Sequence, residues 1–492
     1  MEDKKIVNRF SVLSNLIWRF AERTGAQLVS FVVSMVIARI LEPEAFGVVS
    51  IMTVFINILQ VFIDNGLGTS LVQKKDADDL DFSTAFYSNL VICAMLYLIL
   101  FFAAPFIQSF YHYDNLVSYI RVLSIVILIS GVKNIQQAYV SRNLIFKRFF
   151  FATLGGTIGA GVLGIFMALK GFGVWALIAQ HLFNTTVDTL ILWLTVKWRP
   201  KKLFSFERLK GLFSFGWKLV VSSLIESVYA NLRQMVIGKI YSPSDLAFYN
   251  RGKQFPDTVC ANINSSIDSV LFPSMSKKQD NKQELKKMTR TSIKTSTYIM
   301  APLMMGLAFT ANNVVTLILT DKWAPCVPFL RIFCITLMFY PIHTANLNAI
   351  KALGRSDIFL KLEIIKKIVG IILLVSTMWI SVMAMAYSML VSTVLSMIIN
   401  TYPNWKMLNY TLLEQLKDIM PGILLAVFMG ACTLPLNLLH FPIILILILQ
   451  IVLGAVIYIG LSYLFKLESF EFLFGMAKTL FAKYFRKNAK KD

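Results

Sequence analysis

The feature that most constrains this chain is an alternation: apolar runs long enough to cross a bilayer, separated by short basic links. A helix needs about 20 mainly apolar residues to span the hydrocarbon core, and about fourteen such segments can be placed along the sequence. They lie near 12–40, 46–72, 83–107, 116–140, 149–169, 172–196, 208–239, 246–273, 291–319, 326–350, 357–379, 382–405, 413–436 and 442–465. Turn signals part several of them: Glu42-Pro43, Lys170-Gly171, Ser242-Pro243, and Asp321 to Pro325. A backbone inside lipid must satisfy its own polar groups, so the expected fold is all-α, a polytopic membrane protein. Composition agrees. Of 492 residues, 57% are apolar and only 15% charged, where a soluble domain carries about 25% charge.

The net charge of +21 would suggest nucleic acid on a soluble protein. Here the basic residues sit in links between apolar runs, and the simpler reading is topology, with Lys and Arg holding loops on the cytoplasmic side. An even number of spans puts both termini on that side. The inside links then carry Lys4, Lys5 and Arg9, Lys74 and Lys75, Arg142 to Arg148, 197–210, 277–294, 351–367, Lys406 and Lys417, and the tail from Lys466. That is about 35 basic residues inside against about 4 outside, namely Arg39, Lys170, Lys239 and Lys322. No nucleic-acid partner is expected. The tail, 467–492, reads either as a basic amphipathic helix on the inner leaflet or as a solvated extension.

The five cysteines are scattered and show no C-x-x-C pair, so neither a disulfide framework nor a metal site is supported, and no cofactor is expected. The polar, basic segment Met1 to Arg9 runs into the first apolar run without a small-residue cleavage site, so that run is expected to stay as a helix. No H-E-x-x-H, G-x-S-x-G or Walker A motif occurs; the chain reads as a non-enzyme with no catalytic residues and no ATP-driven step of its own.

Spans 1 and 7 resemble each other. Met35-Val36-Ile37-Ala38-Arg39-Ile40 followed by Pro43 matches Met235-Val236-Ile237-Gly238-Lys239-Ile240 followed by Pro243. Six spans separate the copies, so two parallel six-helix lobes around a central cavity are expected, with two extra C-terminal helices. The corresponding domains are an N-terminal lobe 1–196, a basic linker 197–210, a C-terminal lobe 211–405, extra helices 406–466 and a tail 467–492.

Ionisable groups inside spans are costly and usually face a cavity or a partner. Span 1 places Arg19, Glu22 and Arg23 on one face, and span 2 places Ser50, Thr53, Asn57, Gln60 and Asp64. Span 7 carries Lys218, Ser222, Glu226, Tyr229 and Arg233; span 8 carries Asn250, Gln254, Asp257, Asn264 and Asp268, with Arg251 and Lys253 beside them. These four spans are the candidate cavity wall. The bland alternative is helix-to-helix glue, with Glu22 neutralising Arg19 or Arg23 and Glu226 serving Lys218 or Arg233. Arg19, Arg23, Lys218, Arg233, Arg251 and Lys253 suit an anionic cargo, and Asp64, Glu226, Asp257 and Asp268 are candidates to take up H⁺ or Na⁺. His181 and His343 read as packing or helix contacts rather than a proton relay. Gly155, Gly156, Gly159, Gly161 and Gly164 read as close helix packing rather than a phosphate loop.

An ordered set of short motifs resembles polysaccharide exporters of the Wzx type. The motifs are Ala38-Arg39-Ile40-Leu41 with Pro43 and Phe46-Gly47; Asp64-x-Gly66 with Gln73-Lys74-Lys75; Gly171-Phe172-Gly173-Val174-Trp175-Ala176-Leu177; Leu271-Phe272-Pro273; and Ala352-Leu353-Gly354-Arg355-Ser356-Asp357. The family is the polysaccharide transport branch of the multidrug/oligosaccharidyl-lipid/polysaccharide (MOP) exporter superfamily, and the chain is similar to its long, fourteen-helix members, such as colanic acid exporters. The resemblance implies flipping of undecaprenyl-pyrophosphate-linked oligosaccharide across the bacterial cytoplasmic membrane for O-antigen, capsule or exopolysaccharide. It implies membrane lipids and polysaccharide polymerase or assembly proteins as partners. It transfers no site residue, so the cavity candidates rest on the stripes alone. Arginines there could grip a pyrophosphate bidentately. The rival readings are a drug/cation antiporter, a membrane-embedded polymerase or glycosyltransferase, and a non-transporting component of the assembly machinery.

Overall fold

Among the described residues, helices form where the apolar runs predicted them. The computed structural model describes residues 25–143, 145 and 147–488, and among these no strand occurs. The helices are α1 (Gly25–Ile40), α2 (Pro43–Asp64), α3 (Leu67–Gln73), α4 (Asp79–Tyr111), α5 (Leu116–Leu123), α6 (Ile125–Arg142), α7 (Lys147–Leu169), α8 (Val174–Thr195), α9 (Phe206–Ile240) and α10 (Pro243–Ser276). They continue with α11 (Lys282–Phe309), α12 (Ala311–Leu319), a 3-10 turn Asp321–Cys326, α13 (Val327–Met338), α14 (Tyr340–Ala352), α15 (Ser356–Thr377), α16 (Val382–Leu408), α17 (Leu412–Thr433), α18 (Ile443–Leu464) and α19 (Glu468–Asn488). The described part of each of the fourteen expected segments falls mainly on one helix or on two in succession, the first segment being described only from Gly25.

Length and apolarity alone support fewer crossings than expected. Among the described residues, eight stretches are long and apolar enough to cross a membrane, or nine if α11 and α12, bent by 68°, form one span. The other expected crossings fall on α1 and α7, whose described apolar parts are short, and on α8, α10 and α15. These last three carry polar and charged residues, so they can cross only where neighbours or a hydrated cavity shelter them.

Local chemistry explains the helix ends. Pro43 opens α2 at a position where its missing N–H costs nothing. Asp78 and Asp81 form a reciprocal capping box on α4, and Thr411 and Glu414 do the same on α17. Between α7 and α8 the chain turns through Gly171 and Gly173, both at positive φ.

The chain divides into two compact units, Met1–Ala247 and Phe248–Asp492. In the first, Leu71, Phe82, Phe86, Ile135, Leu192 and Trp198 form a buried cluster, with Phe82 and Trp198 ring centroids 5.6 Å apart. The glycines of α7 admit neighbouring helices, as their spacing predicted. A Cβ on Gly156 would sit 3.0 Å from the Asn184 carbonyl of α8, one on Gly159 2.7 Å from Phe183, and one on Gly161 2.4 Å from Val33 of α1. Helix α9 packs on α2, α3 and α4. In the second unit, α11 packs mainly on α17 and α13, and α15 on α16. Trp323 and Phe333 are fully buried there, and Tyr249 lies 5.1 Å from Phe333.

Candidate functional site

The structure places the expected stripes in both units. Arg19, Glu22 and Arg23 lie outside the described residues.

In the first unit, α2 and α9 lie side by side. Ser227 Oγ reaches the Asn57 carbonyl at 3.5 Å. Below that contact the backbones close up: a Cβ on Gly216 would lie 3.0 Å from the Gly66 carbonyl, and Ser70 Oγ donates to the Leu212 carbonyl at 3.0 Å. At the other end, the Lys239 ammonium donates to the Phe110 carbonyl of α4 and lies 4.4 Å from the Phe110 ring centre. The charged stripe of α9 lies between these anchors. Lys218 and Glu226 are exposed and Arg233 is half-buried, with its Nε buried. On α2, Asp64 is exposed and accepts from Gln60 Nε2 at 3.1 Å, with Lys133 and Asn134 of α6 close enough to act on its carboxylate.

Lys133 has a second and closer partner that the stripes did not reveal. Its ammonium lies 3.0 Å from Asp188 Oδ2 on α8, with both side chains largely buried. Neither residue belongs to a stripe. Each is a lone ionisable group in an apolar run, and that isolation was the available signal.

In the second unit, the stripe of α10 divides by depth. Arg251 is 7% exposed; its guanidinium stacks 5.0 Å from the centre of the buried Trp323 ring and donates to Gln254 Oε1 at 2.7 Å. A cation engaged in this way holds the 3-10 turn against α10. Lys253 and Asp257 form a half-exposed pair at 3.6 Å, one helical turn apart. Asp268 is exposed and accepts from Asn348 Nδ2 of α14 at 2.7 Å. Between α10 and α14, Thr344 Oγ1 also donates to Asn264 Oδ1 at 3.2 Å.

Deeper in this unit, the amides of Asn346 and Gln415 exchange hydrogen bonds at 2.8 and 3.1 Å, and Thr401 Oγ1 donates to Gln415 Oε1 at 3.2 Å. Asn400 Nδ2 meets His343 Nδ1 at 3.1 Å, which makes His343 a helix contact between α14 and α16. This network joins α14, α16 and α17 in an apolar setting, the glue role of polar groups between membrane helices.

No group of three or more His, Cys, Asp and Glu residues suited to a metal ion occurs among the described residues. The arrangement offers instead charged and amide-bearing helix faces of membrane length, two of which, on α9 and α10, carry residues of both signs, suited to binding a charged, hydrated solute.

Comparison with known proteins fits this picture. Residues 36–328 match the family described as "Polysaccharide biosynthesis protein". The teichuronic acid biosynthesis protein TuaB of Bacillus subtilis (strain 168) is 26% identical over 61% of this chain, and the match spans 62% of TuaB's own length. The lipopolysaccharide biosynthesis protein WzxC of Escherichia coli (strain K12) is 25% identical over 67% of this chain and 68% of its own. Among solved structures, the lipid II flippase MurJ in an inward closed conformation superposes with a TM-score of 0.71 at 15% identity, over 92% of this chain and 98% of MurJ. An inward-facing multidrug resistance MATE family transporter of the MOP superfamily gives a TM-score of 0.61 at 16% identity, over 80% of this chain and 98% of its own. With a family match that begins in the first unit and reaches into the second, this chain is a polytopic membrane protein of the polysaccharide biosynthesis protein family, and its fold is shared with MurJ and MATE transporters.

Proposed function

We propose that this protein is a flippase that carries undecaprenyl-pyrophosphate-linked oligosaccharide across the bacterial cytoplasmic membrane for assembly of a surface polysaccharide. One observation carries the reading furthest. Of the eight membrane-length stretches among the described residues, α9 is the least apolar and the least buried, and it exposes Lys218 and Glu226 along its length. Such a helix face is tolerated in a membrane where it lines water or a polar cargo or meets a polar partner, and the low burial of α9 favours the first. The names of the relatives, which concern teichuronic acid, succinoglycan and lipopolysaccharide, point to glycans as that cargo.

In the proposed cycle, lobes 1–196 and 211–405 alternate access to a cavity, while the polyprenyl chain stays in lipid. Lys218 and Arg233 of α9, with Arg19 and Arg23 of the first span, replace water around the pyrophosphate, and Lys253 of α10 is a further candidate cation. Arg251, committed to Trp323 and Gln254, acts from behind by holding α10. Asp64, Glu226, Asp257 and Asp268 are the groups that would exchange H⁺ or Na⁺. An inside-negative potential favours outward movement of the anion by about 2.3 kcal/mol per charge per 100 mV. The excess of basic residues in the inside links supports a cytoplasmic position for both termini.

The test is reconstitution of the purified protein in liposomes with the host's undecaprenyl-pyrophosphate oligosaccharide, following sugar that becomes accessible on the far leaflet. Protein-dependent flipping that fails with truncated sugars supports the reading. No flipping, under any imposed potential or ion gradient, overturns it. Efflux of organic cations by the same vesicles would place the protein with the drug antiporters instead.

A further inference from the structure

The second unit contains a cationic cleft apart from the stripes. Its volume is about 400 Å³. Arg290 and Lys294 of α11, Lys417 and Asp418 of α17, Lys466 of the α18–α19 turn and Glu468 at the start of α19 line it. The two carboxylates are already engaged. Asp418 receives a bidentate grip from Arg290 at 2.7 and 2.8 Å, and the Tyr410 hydroxyl donates to it at 2.8 Å. Glu468 pairs with Lys294. Lys417 and Lys466 are exposed and have no carboxylate partner among the described residues. The cleft therefore presents two uncommitted cations on a rigid, internally neutralised base.

The turn that delivers Lys466 is unusual. Helix α18 ends in a Schellman arrangement: the Leu467 N–H donates to the Ser462 carbonyl at 3.1 Å, and the Lys466 N–H donates to the Tyr463 carbonyl at 3.2 Å. The residue at its left-handed position is normally glycine. Here it is Lys466, at φ +49°. Lys466 thus sits in a backbone conformation unfavourable for lysine, and its side chain lines the cleft.

The surroundings are apolar. Tyr463, Leu464 and Phe465, directly before Lys466, are 75%, 69% and 64% exposed, and Leu413, Met420 and Leu424 on α17 are exposed as well. The floor of the cleft is Tyr298 with Gly422, and Tyr298 is fixed by its hydroxyl donating to Ser462 Oγ at 2.7 Å. A cationic cleft rimmed by exposed hydrocarbon at the ends of two apolar helices belongs at the boundary between headgroups and acyl chains.

We propose that this cleft is a binding site for an anionic glycerophospholipid of the inner leaflet, with Lys417 and Lys466 on the headgroup phosphate and the acyl chains along the exposed apolar ends of α17 and α18. The chemistry of a phosphate is shared by free phosphate and by the polyprenyl pyrophosphate of a cargo. The apolar rim selects against the first, and the small cleft, built without any stripe residue, against the second. The site does not depend on what the protein transports.

The test uses the full-length protein in detergent, titrated with fluorescently labelled phosphatidylglycerol and, in parallel, labelled phosphatidylcholine. Saturable binding with preference for phosphatidylglycerol is expected. The double variant Lys417→Ala with Lys466→Gly should weaken it on the order of ten- to thirtyfold, since each basic side chain near an anionic surface contributes a few-fold to tenfold. Glycine suits the left-handed position, so this variant should unfold at a temperature no lower than Lys417→Ala alone. Lys466→Arg should retain binding. Lys361→Ala, an exposed lysine of α15 outside the cleft, should leave it unchanged. Equal binding of the two lipids, full binding by the double variant, or an equal loss with Lys361→Ala would overturn the proposal. Displacement of the label by inorganic pyrophosphate or undecaprenyl pyrophosphate, but not by unlabelled phosphatidylglycerol, would assign the cleft to those ligands and overturn it equally.

Discussion

Lys133 of α6 and Asp188 of α8 are joined by an ion pair of 3.0 Å within the first unit, each side chain less than a fifth exposed. Asp188 Oδ2 takes the ammonium, while Oδ1 is buried without a hydrogen-bond partner among the described residues. The carboxylate therefore depends on Lys133 for its charge compensation. Removing one member of such a pair leaves the other as an uncompensated charge, at a cost of about 3–5 kcal/mol. Lys133→Ala should lower the yield of monodisperse protein and its melting temperature in detergent. The pair replaced together, Lys133→Met with Asp188→Asn, should recover most of that loss, because no net charge then remains buried. A double variant as unstable as the single one would assign the residues to something other than mutual neutralisation.

At the start of α4 the relevant chemistry is a cap. Asp78 accepts from the Asp81 backbone N–H at 2.9 Å, and Asp81, fully buried, is held by the Lys74 ammonium at 2.6 Å with Arg208 of α9 at 3.6 Å. The Asp81 N–H holds the Asp78 carboxyl below its ordinary value of 3.8. A depressed folded pKa means that the stabilisation is fully present above the ordinary carboxylate value and is lost as pH falls through the lowered one. Asp78→Ala should cost about 1 kcal/mol at neutral pH, and the difference in melting temperature from the parent protein should shrink as pH falls below 3.8. Asp78→Asn retains the acceptor and should cost less at neutral pH. A difference independent of pH would mean that the charge of Asp78 contributes nothing.

The helices and the polar faces of α9 and α10 are legible in the chain because both are periodic signals. A run of apolar residues of membrane length, or Lys218, Ser222, Glu226 and Arg233 repeating at helical steps, can be read without knowing any neighbour. The close-packed glycines of α7 follow from the same local arithmetic, whereas His343 could be read as a helix contact only because it stands alone in its span, with its partner Asn400 unnamed. What stays hidden is tertiary. Lys133 and Asp188 lie 55 positions apart, and nothing in either segment names the other. Arg251 stands beside Lys253 in the sequence, yet only the arrival of Trp323 removes it from the exposed face. The amide pair of Asn346 and Gln415 likewise exists only because α14 and α17 meet. The number of crossings falls between the two cases: α8, α10 and α15 are helices, but whether such polar helices cross is decided by what shelters them.

Gly47 on α2 tests the closest approach in the first unit. A Cβ there would lie 1.8 Å from the carbonyl oxygen of Pro243, the residue that opens α10. Backbone cannot rotate away as a side chain can, so the two segments must separate. Gly47→Ala should therefore destabilise by about 3 kcal/mol, at the upper end of ordinary overpacking. Gly211→Ala, where a Cβ meets nothing within 4 Å, should be neutral or slightly stabilising in the first turns of α9. Thermal unfolding of the two variants side by side makes the comparison, and equal behaviour would mean that the Gly47 contact yields without cost.

The proposed transport role makes its sharpest demand on Lys218. The side chain is exposed on a membrane-length helix, and neutralising an exposed charge usually changes stability by less than about 0.5 kcal/mol. If Lys218 meets the pyrophosphate during transfer, Lys218→Ala removes a charge-assisted hydrogen bond worth about 1.5–3 kcal/mol, which is roughly ten- to a hundredfold in rate when the loss falls on the barrier. Flipping by liposomes carrying equal amounts of folded variant should drop by that factor, and Lys218→Arg should restore much of it. Glu226→Gln, about two turns further along the same stripe, separates cargo contact from ion coupling. If Glu226 exchanges a proton or Na⁺, its amide variant should lose the dependence of flipping on an imposed ion gradient while keeping the dependence on membrane potential. Unchanged rates in Lys218→Ala, with full folding, would move the cargo path off α9 and leave its charged face to helix pairing alone.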